Sequence, residues 1–397
     1  MRVSTHSSFQ RGLSMMQQLQ TALDRTQQQI SSGRRLLSPS DDPIAAARTV
    51  EMRESLARME QFDRNGEIAR NRLSYEESTL VSVNNVLQRV RELALQANND
   101  TQSPDTRAQI AGEMRDRIDE LVALANQRDG TGRYLFSGNR DATTPVSAAN
   151  GAFSYNGDQG QRLIQIGEDR QIADGDSGAA VFFSVKAGNG TFATRASAGN
   201  SGLGQLGVGS VTDFAQYDQD VYTVRFTTEN SYDVLDSGGA VVTSSAFTPG
   251  DTIGFRGIEF AIAGTPAAGD EFVAEPSRNL DMFSIVQDLV SVLESPVVDD
   301  QSRAALHNGV NGALLDLDQA IGNVLSVRTQ IGSRLQAIES QADTNGALSL
   351  TLQSTVSSIE DLDYAEALSN LSLQITTLEA AQQSFIRTQG LSLFDYL

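Results

Sequence analysis

The sequence has no cysteine, very few histidines and a single lysine. None of its 397 residues is cysteine, and this absence excludes disulfide frameworks, thiolate nucleophiles and thiolate metal sites together. The two histidines are His6 and His307, and Lys186 is the only lysine. The chain therefore offers few of the side chains on which enzyme and metal sites usually depend.

Long hydrophobic runs are also missing. No segment reaches the roughly 18 consecutive apolar residues that a membrane-spanning helix needs, so no membrane partner is expected. Residues 1–6 contain no apolar stretch after Arg2, and we therefore expect no cleaved secretory signal peptide. The content of 39% hydrophobic and 20% charged residues is that of a globular protein, and the length suggests two or three domains.

Basic residues are fewer than acidic residues and are unevenly distributed along the chain. The formal net charge of -20 argues against a nucleic-acid partner, because phosphate binding requires a basic face. Residues 1–140 carry 19 Arg against 18 acids, whereas residues 281–397 carry 4 Arg against 15 acids. A near-neutral start and an acidic end are compatible with pairing of the two ends, although surface ion pairs contribute little energy.

The first 130 residues have helical periodicity. Phe9, Met16, Leu23 and Ile30 recur every seven residues, which predicts a helix with one narrow apolar seam that ends near Gly33. The run from Ser38 to Pro43 combines possible capping residues with a proline suited to a first helical turn. It predicts a second helix to about residue 98. The later half of this helix has apolar residues at alternating three- and four-residue steps, which is coiled-coil spacing: Leu80, Val83, Leu87, Val90, Ala94 and Ala97. The stripe over 110–125 predicts a third helix that ends before residue 130.

The sequence pattern changes between about 133 and 279, where glycines cluster and the helical periodicity of apolar residues disappears. Short β-favouring runs alternate with turn residues, at 162–166, 180–185, 221–226 and 258–262. Short strands with glycine-rich turns predict a sandwich or barrel-like β domain.

Helical periodicity returns at about residue 280. One seam covers 314–338, and a final helix is predicted from Ala347 to Gly390, with a length of roughly 65 Å. Neither end can bury a narrow seam alone, so the N- and C-terminal helices are expected to pair. The predicted fold class is α+β, a long-helix coiled-coil bundle formed by the N- and C-terminal segments with an inserted all-β domain. Five segments are expected: an N-terminal assembly helix over 1–40, the N-terminal part of the bundle over 41–132, the β insert over 133–279, the C-terminal part of the bundle over 280–345 and a C-terminal assembly helix over 346–397.

Three segments resemble a known family. Residues 28–43 resemble the N-terminal region of bacterial flagellins, and the form of 38–43 is similar to that of the hook-associated protein 3 family within the flagellin superfamily. Residues 132–138 resemble the point where that family passes into its outer domain, and residues 389–397 resemble its C-terminus. The resemblance covers about 1–140 and 280–397 and does not extend to the middle of the chain.

The resemblance implies a structural role outside the cell. It implies a self-assembling subunit at the junction between flagellar hook and filament, which serves as a platform for flagellin polymerisation. The implied partners are other copies in a ring, a hook-associated protein on the hook side, flagellin on the filament side and a cytoplasmic export chaperone. Export through the flagellar type III channel is implied as well, with terminal helices that order on assembly. The alternative is filament flagellin itself.

Three groups of residues are expected at the assembly interface: the apolar seams of the two terminal helices, the arginine that follows the first helix, and the apolar residues at the C-terminal end. The seams could instead be core stripes within one chain, and the arginine an ordinary solvated charge. The C-terminal apolar residues are interpreted as a hydrophobic plug that needs a partner, because a free chain end otherwise frays. The candidates are Phe9, Met16, Leu23, Ile30, Arg34, Leu371, Ile375, Leu378, Phe385, Leu391, Leu393, Phe394 and Leu397.

Motifs that resemble enzyme signatures fail on context. The run Gly175–Gly178 matches the nucleophile segment of trypsin-like proteases, but that chemistry needs a positioned histidine base, and only His6 and His307 exist. The glycines over 202–207 satisfy a dinucleotide-binding pattern without the strand before it or the helix after it. No catalytic residue, cofactor or metal site is therefore expected, and a secreted hydrolase is disfavoured. A cytoplasmic signalling scaffold is disfavoured by the β insert.

Overall fold

The structure is a computed structural model that describes residues 5–390. Its element order, helices at both ends and β strands between them, confirms the predicted fold class. The helices are α1 Thr5–Ser32, α2 Pro43–Ala97, α3 Pro104–Ala125, α4 Gly178–Phe182, α5 Met282–Glu294, α6 Asp300–Glu360 and α7 Tyr364–Gly390. No helix within 5–390 is long and apolar enough to cross a membrane.

The first helices start at the residues that the sequence indicated. Asp42 caps α2, because its Oδ1 accepts hydrogen bonds from the amides of Ile44 at 3.2 Å and Ala45 at 3.0 Å. Ser103 caps α3 in the same way, through a 3.2 Å bond from the Thr106 amide. Both helices have proline as their first residue, where its missing N–H costs no hydrogen bond.

The prediction of one final helix from Ala347 to Gly390 is wrong at both its start and its middle. Ala347 lies inside α6, because the neighbouring Asn345 does not break the helix: its amide is buried and donates to Asp63 Oδ1 at 3.1 Å. The break falls instead at residues 361–363. There Asp363 caps α7 by accepting from the amides of Ala365 at 2.9 Å and Glu366 at 3.2 Å.

The chain divides into two compact units, residues 1–64 with 340–397 (unit 1) and residues 65–339 (unit 2). The division falls within α2 and within α6. The five segments predicted from the sequence are a finer division and stay a prediction.

Unit 1 contains α1, the loop 33–42, the first part of α2, the last part of α6 and α7. Helix α1 packs against α7, with the rings of Phe9 and Phe385 at a centroid distance of 5.3 Å. The expected pairing of the two chain ends is therefore present within a single chain.

Unit 2 combines a helical core with the β insert. The predicted coiled-coil positions of α2 are all buried, and they form one cluster with the α6 side chains Leu317, Val324 and Ile331. Helix α3 packs along α5. The buried α2 positions are Leu80, Val83, Leu87, Val90, Ala94 and Ala97.

The insert is built from antiparallel sheets. One has five strands in the order β11-β10-β9-β14-β6, and another has β12-β13-β7 with β8 beside β13; β1-β2, β3-β4 and β5-β15 form two-stranded ribbons. The strands are β1 Val146–Ala149, β2 Ala152–Tyr155, β3 Leu163–Gln165, β4 Gln171–Ala173, β5 Val185–Lys186, β6 Phe192–Ala196, β7 Gln205–Leu206, β8 Ser210–Val211, β9 Tyr222–Thr228, β10 Ser231–Leu235, β11 Val241–Ala246, β12 Thr252–Phe255, β13 Ile258–Ala263, β14 Glu271–Pro276 and β15 Asn279–Leu280.

An aromatic core of its own stabilises the larger sheets. Phe226 lies at its centre, with ring centroids 5.0 Å from Phe247 and 5.9 Å from Phe272 in edge-on geometry. Burial alternates along β9 and β13, as expected for strands with one face on a core. The larger sheets therefore have a core separate from that of the helices.

One predicted strand is a helix. The run 180–185 forms most of α4 and reaches β5 only at Val185. Ser177 caps α4 through the amide of Ala180, and Val181 and Phe182 are fully buried in the helical core. Packing of these two side chains on the helices outweighs the β preference of the run.

Candidate assembly interface

Both chain segments of unit 1 are interrupted at the same place. The loop after α1 lies beside the break between α6 and α7, where the Arg35 amide donates to the Glu360 carbonyl at 2.7 Å. The Leu362 amide donates to the Gly33 carbonyl at 3.0 Å. Arg34 and Asp361 form an antiparallel bridge between these segments. Residues 33–36 and 359–363, called the joint below, are thus connected through backbone hydrogen bonds.

Arginine side chains reinforce the joint from the N-terminal side. The Arg35 guanidinium donates to the Ile359 carbonyl at 2.7 and 3.1 Å, and Arg53 of α2 pairs with the Glu360 carboxylate. A bond to the last carbonyls of α6 satisfies acceptors that a helix end leaves free. Arg34, by contrast, has an exposed side chain, and only its backbone takes part in the bridge.

Asp41 organises the rest of the loop. Its Oδ2 accepts from the amides of Leu37 at 3.0 Å and Ser38 at 3.1 Å, and its Oδ1 lies 2.8 Å from Arg25 of α1. The hydrogen bond from the Ser38 amide is the main cause that lowers the pKa of the Asp41 carboxyl below its usual value. Asp42 caps α2 as expected, whereas Asp41 fixes the loop to α1.

The predicted seam residues are only partly covered by the α1–α7 pairing. Phe9 contacts Phe385, and Gly12 faces the same ring so closely that a Cβ there would lie 3.0 Å from it. Phe9 and Ile375 stay exposed. The remaining described members are half-buried, namely Met16, Leu23, Ile30, Leu371, Leu378 and Phe385. The other four candidates, Leu391, Leu393, Phe394 and Leu397, lie outside the described residues.

A second group of apolar side chains on α1 and α7 is more exposed than the predicted seam. Met15 is 59% exposed, Leu373 is 69% exposed and Ile386 is 67% exposed. The seven-residue spacing did not select these three, because they lie off the stripe that it follows. The sequence shows only that these three are large apolar residues, and how the two helices pair decides that they stay exposed.

Unit 1 has a sparse core. Among its described residues, the buried apolar side chains are Ala45, Met59, Phe62 and Ala367. All other buried apolar side chains of the described chain belong to residues 65–339. A helix pair with half-covered seams is marginal in water, because tertiary packing supplies most helical stability. The arrangement is suited to further packing against other helices.

The enzyme-like motifs have structural roles. Ser177 is buried and caps α4, while Gly202 donates its amide to Asp270 at 3.1 Å in a loop of the insert. His307 bridges the Asn98 and Asp100 side chains at 2.7 and 2.9 Å. Within the described part of the chain, no three acidic or histidine side chains are grouped to hold a metal ion.

Comparison with known proteins identifies the family. The bacterial flagellin N-terminal helical region matches residues 3–141, and the bacterial flagellin C-terminal helical region matches residues 314–397. Flagellar hook-associated protein 3 of Escherichia coli K12 is 26% identical over 402 aligned residues, covering 99% of each chain. The crystal structure of FlgL from Xanthomonas campestris superposes with a TM-score of 0.72 at 34% identity, over 77% of this chain and 99% of that one. The chain belongs to the flagellar hook-associated protein 3 family.

The match to flagellins is more limited. A flagellin of Salmonella derby is 26% identical over 278 residues, which covers 61% of this chain and 52% of that flagellin. The flagellin alternative therefore has less support than the hook-associated protein 3 family, which is matched along the whole chain. As a member of that family, the chain is a structural protein of the bacterial flagellum and not an enzyme.

Proposed function

We propose that copies of this chain form the junction between the flagellar hook and the filament and provide the platform on which flagellin polymerises. The exposed apolar side of the α1–α7 pair carries the proposal, because Met15, Leu373 and Ile386 have no counterpart within the described chain that covers them. Helices with such a surface gain stability when neighbouring helices bury it.

The proposed partners follow from a subunit placed between two assemblies. Other copies form a ring around the flagellar axis, a hook-associated protein contacts the ring on the hook side, and flagellin contacts it on the filament side. The sparse core of unit 1 supports the proposal that the terminal helices complete their packing when the subunits assemble. Export through the flagellar type III channel, with a cytoplasmic chaperone, accompanies this role and places the protein outside the cell.

Electron microscopy of a deletion strain tests the position. Cells that lack the gene should carry hooks without filaments and should release flagellin into the medium, and a plasmid copy should restore the filaments. Filaments of normal length on the deletion strain would refute the junction role.

Copy number separates the junction role from filament flagellin. A ring at the junction contains few copies, so this chain should be a minor component of sheared filaments measured by quantitative mass spectrometry. If it were the dominant protein of those filaments, the flagellin alternative would be correct.

A further inference from the structure

A group of buried charges lies in unit 2, where the β insert meets the helices. Helix α2 contributes Arg72 and Glu76, and the segment between β4 and α4 contributes Asp174 and Asp176. The exposed fractions are 1% for Glu76, 2% for Asp174, 5% for Asp176 and 9% for Arg72. Charges this deeply buried are stable only when they are paired and hydrogen-bonded.

One set of contacts connects the group to both helices. The Asp176 amide donates to Glu76 Oε1 at 3.1 Å, which joins the insert to α2. Asp176 Oδ1 accepts from Arg334 of α6 at 2.8 Å and from Gln161 at 2.7 Å. Asp176 therefore contacts both α2 and α6.

A second set centres on Arg72. Its guanidinium donates to Asp129 Oδ2 at 3.1 Å and to the carbonyls of Tyr134 and Leu135 at 3.1 and 3.3 Å. Its Nε lies 3.8 Å from Asp174 Oδ2, which Arg162 also pairs with, through an Nε bond of 2.8 Å. These bonds attach residues 132–138, the segment whose sequence resembles the entry into the family's outer domain, to α2.

The charges of this group do not balance. Arg72, Arg162 and Arg334 face a larger number of carboxylates, namely Glu76, Asp129, Asp174 and Asp176. One negative charge is left over if every carboxyl group is ionised. An uncompensated charge in a buried site is strongly unfavourable, so one further positive charge would stabilise this group.

The geometry indicates where that charge binds. Asp176 Oδ2 is buried and accepts no hydrogen bond from the residues that the structure describes. Glu76 is the most deeply buried of the carboxyl groups and already contacts the Asp176 backbone. Two buried donors of the same network, Arg72 Nε and Arg334 Nη1, also lack a hydrogen-bond acceptor among the described residues. A proton on Glu76 is therefore needed for its positive charge and not as a further donor.

We propose that the network binds one proton, held on Glu76, and that this proton stabilises the attachment of the β insert to helices α2 and α6. A metal cation is a poorer fit, because the adjoining cavity of about 60 Å³ has Arg72 and Arg162 in its lining beside Asp141, Asp174 and Asp176. Within the described residues, no three acidic or histidine side chains are grouped to hold a metal ion. The two arginines already lie beside Asp174 and would compete with a cation for it, whereas a proton on Glu76 needs no space in the cavity.

The electrostatics agree with this assignment. Burial is the main cause that raises the pKa of the Glu76 carboxyl well above its ordinary value of 4.5, and the charge of Asp176 raises it further, against the opposing charges of Arg334 and Arg72. Because the folded state has the higher pKa, the proton stabilises the fold fully below the ordinary value. That stabilisation is lost as the pH rises through the raised value.

The variant Glu76→Gln tests the proposal, because glutamine keeps the Oε1 acceptor and cannot ionise. The thermal midpoint of the full-length wild-type chain should fall as the pH rises above the ordinary carboxyl value of 4.5, by on the order of 2–4 °C for each pH unit until Glu76 has ionised. The midpoint of Glu76→Gln should fall markedly less, so that the variant exceeds the wild type at the alkaline end. Parallel profiles for the two chains would overturn the proposal.

Glu77→Gln is the matched control. Glu77 is the next residue of α2 and pairs with Arg328 at 2.8 Å in a partly exposed position. Its substitution should leave the wild-type pH profile unchanged. If Glu77→Gln flattened the profile as much as Glu76→Gln, the effect would belong to the surface of α2 and the proposal would be wrong.

Infrared spectroscopy of the wild type keeps the proposal testable if Glu76→Gln does not fold. The native chain at neutral pH should show the carbonyl stretch of one protonated carboxyl group, and this band should disappear at alkaline pH. Over the same pH range, the Asp176 amide should begin to exchange its hydrogen. Absence of the band would overturn the proposal. Stabilisation by added potassium or magnesium chloride, at constant ionic strength, would identify a cation as the ligand and would also overturn it.

Discussion

At the residue scale, the position of Gly33 depends on both backbone conformation and close packing. Its φ angle is +70°, in the left-handed region, and a Cβ there would lie 2.9 Å from the Tyr364 hydroxyl oxygen. The sequence indicates that Gly33 ends α1, and the structure adds that it also admits the first residue of α7. Both requirements come from the joint.

Gly33→Ala should therefore destabilise unit 1. The left-handed conformation alone costs an alanine about 1–2 kcal/mol, before the contact with Tyr364 is considered. Hydrogen exchange of the α1 and α7 amides should become faster by roughly 5- to 30-fold in the variant chain.

Gly346→Ala is the control for this substitution. Gly346 lies inside α6, also in unit 1, and a Cβ there meets nothing within 4 Å. Alanine at an open helical position should be neutral or slightly stabilising. Equal acceleration of exchange in both variants would show that Gly33 has no special role.

At the element scale, the α1–α7 pair has an inner and an outer set of apolar side chains. The inner set includes Phe9 and Phe385, which contact each other, and the outer set includes Leu373 and Ile386, which project into solvent. The two sets should respond differently to substitution, because only the inner set contributes to the fold of a single chain.

The double variant Leu373→Ser with Ile386→Ser should leave the isolated chain folded and weaken its incorporation into flagella. Exposed substitutions change stability by roughly 0.5 kcal/mol or less, whereas loss of two apolar contacts removes interface energy. Motility on soft agar and immunoblots of purified flagella measure the effect. Gln382→Ser, an exposed polar change on the same helix, should behave as the wild type.

Phe385→Ala should show the opposite pattern. Loss of its contact with Phe9 should destabilise the α1–α7 pairing by about 1–3 kcal/mol in the isolated chain. Circular dichroism melts of the monomer report this loss directly. A double variant of the outer set that melts like Phe385→Ala would contradict the division into two sets.

At the scale of the whole molecule, the two units differ in how much apolar surface they bury. Unit 2 has a continuous helical core and a separate aromatic core in the insert, whereas unit 1 has few fully buried apolar side chains in its described part. Local opening is easiest where buried contacts are few. The free chain should therefore open first in unit 1.

Limited proteolysis of the free monomer checks this order. Cleavage should begin within 5–64 and 340–390 and should leave 65–339 intact for longer, as mass spectrometry of the fragments would show. The same sites should be protected in assembled flagella. Early cleavage inside the β insert, with intact α1 and α7, would contradict the expected order.

The sequence alone determined the features that depend on local patterns. Repeating apolar residues predicted α1 and the buried face of α2, and the capping residues with Pro43 located the start of α2. The loss of helical periodicity and the clustering of glycines located the β insert. These features could be predicted because helical period and capping act over a few residues.

Only the tertiary structure decided the features that combine distant parts of the chain. The break at 361–363 exists beside Gly33 and Arg35, more than 300 positions away, and the charge group requires Glu76 and Asp176, which are 100 positions apart. Which apolar residues of α1 and α7 stay exposed likewise depends on how the two helices pair. A hydrogen bond or a buried charge is stabilised by whatever residue lies next to it in space, and local sequence patterns carry no record of that neighbour.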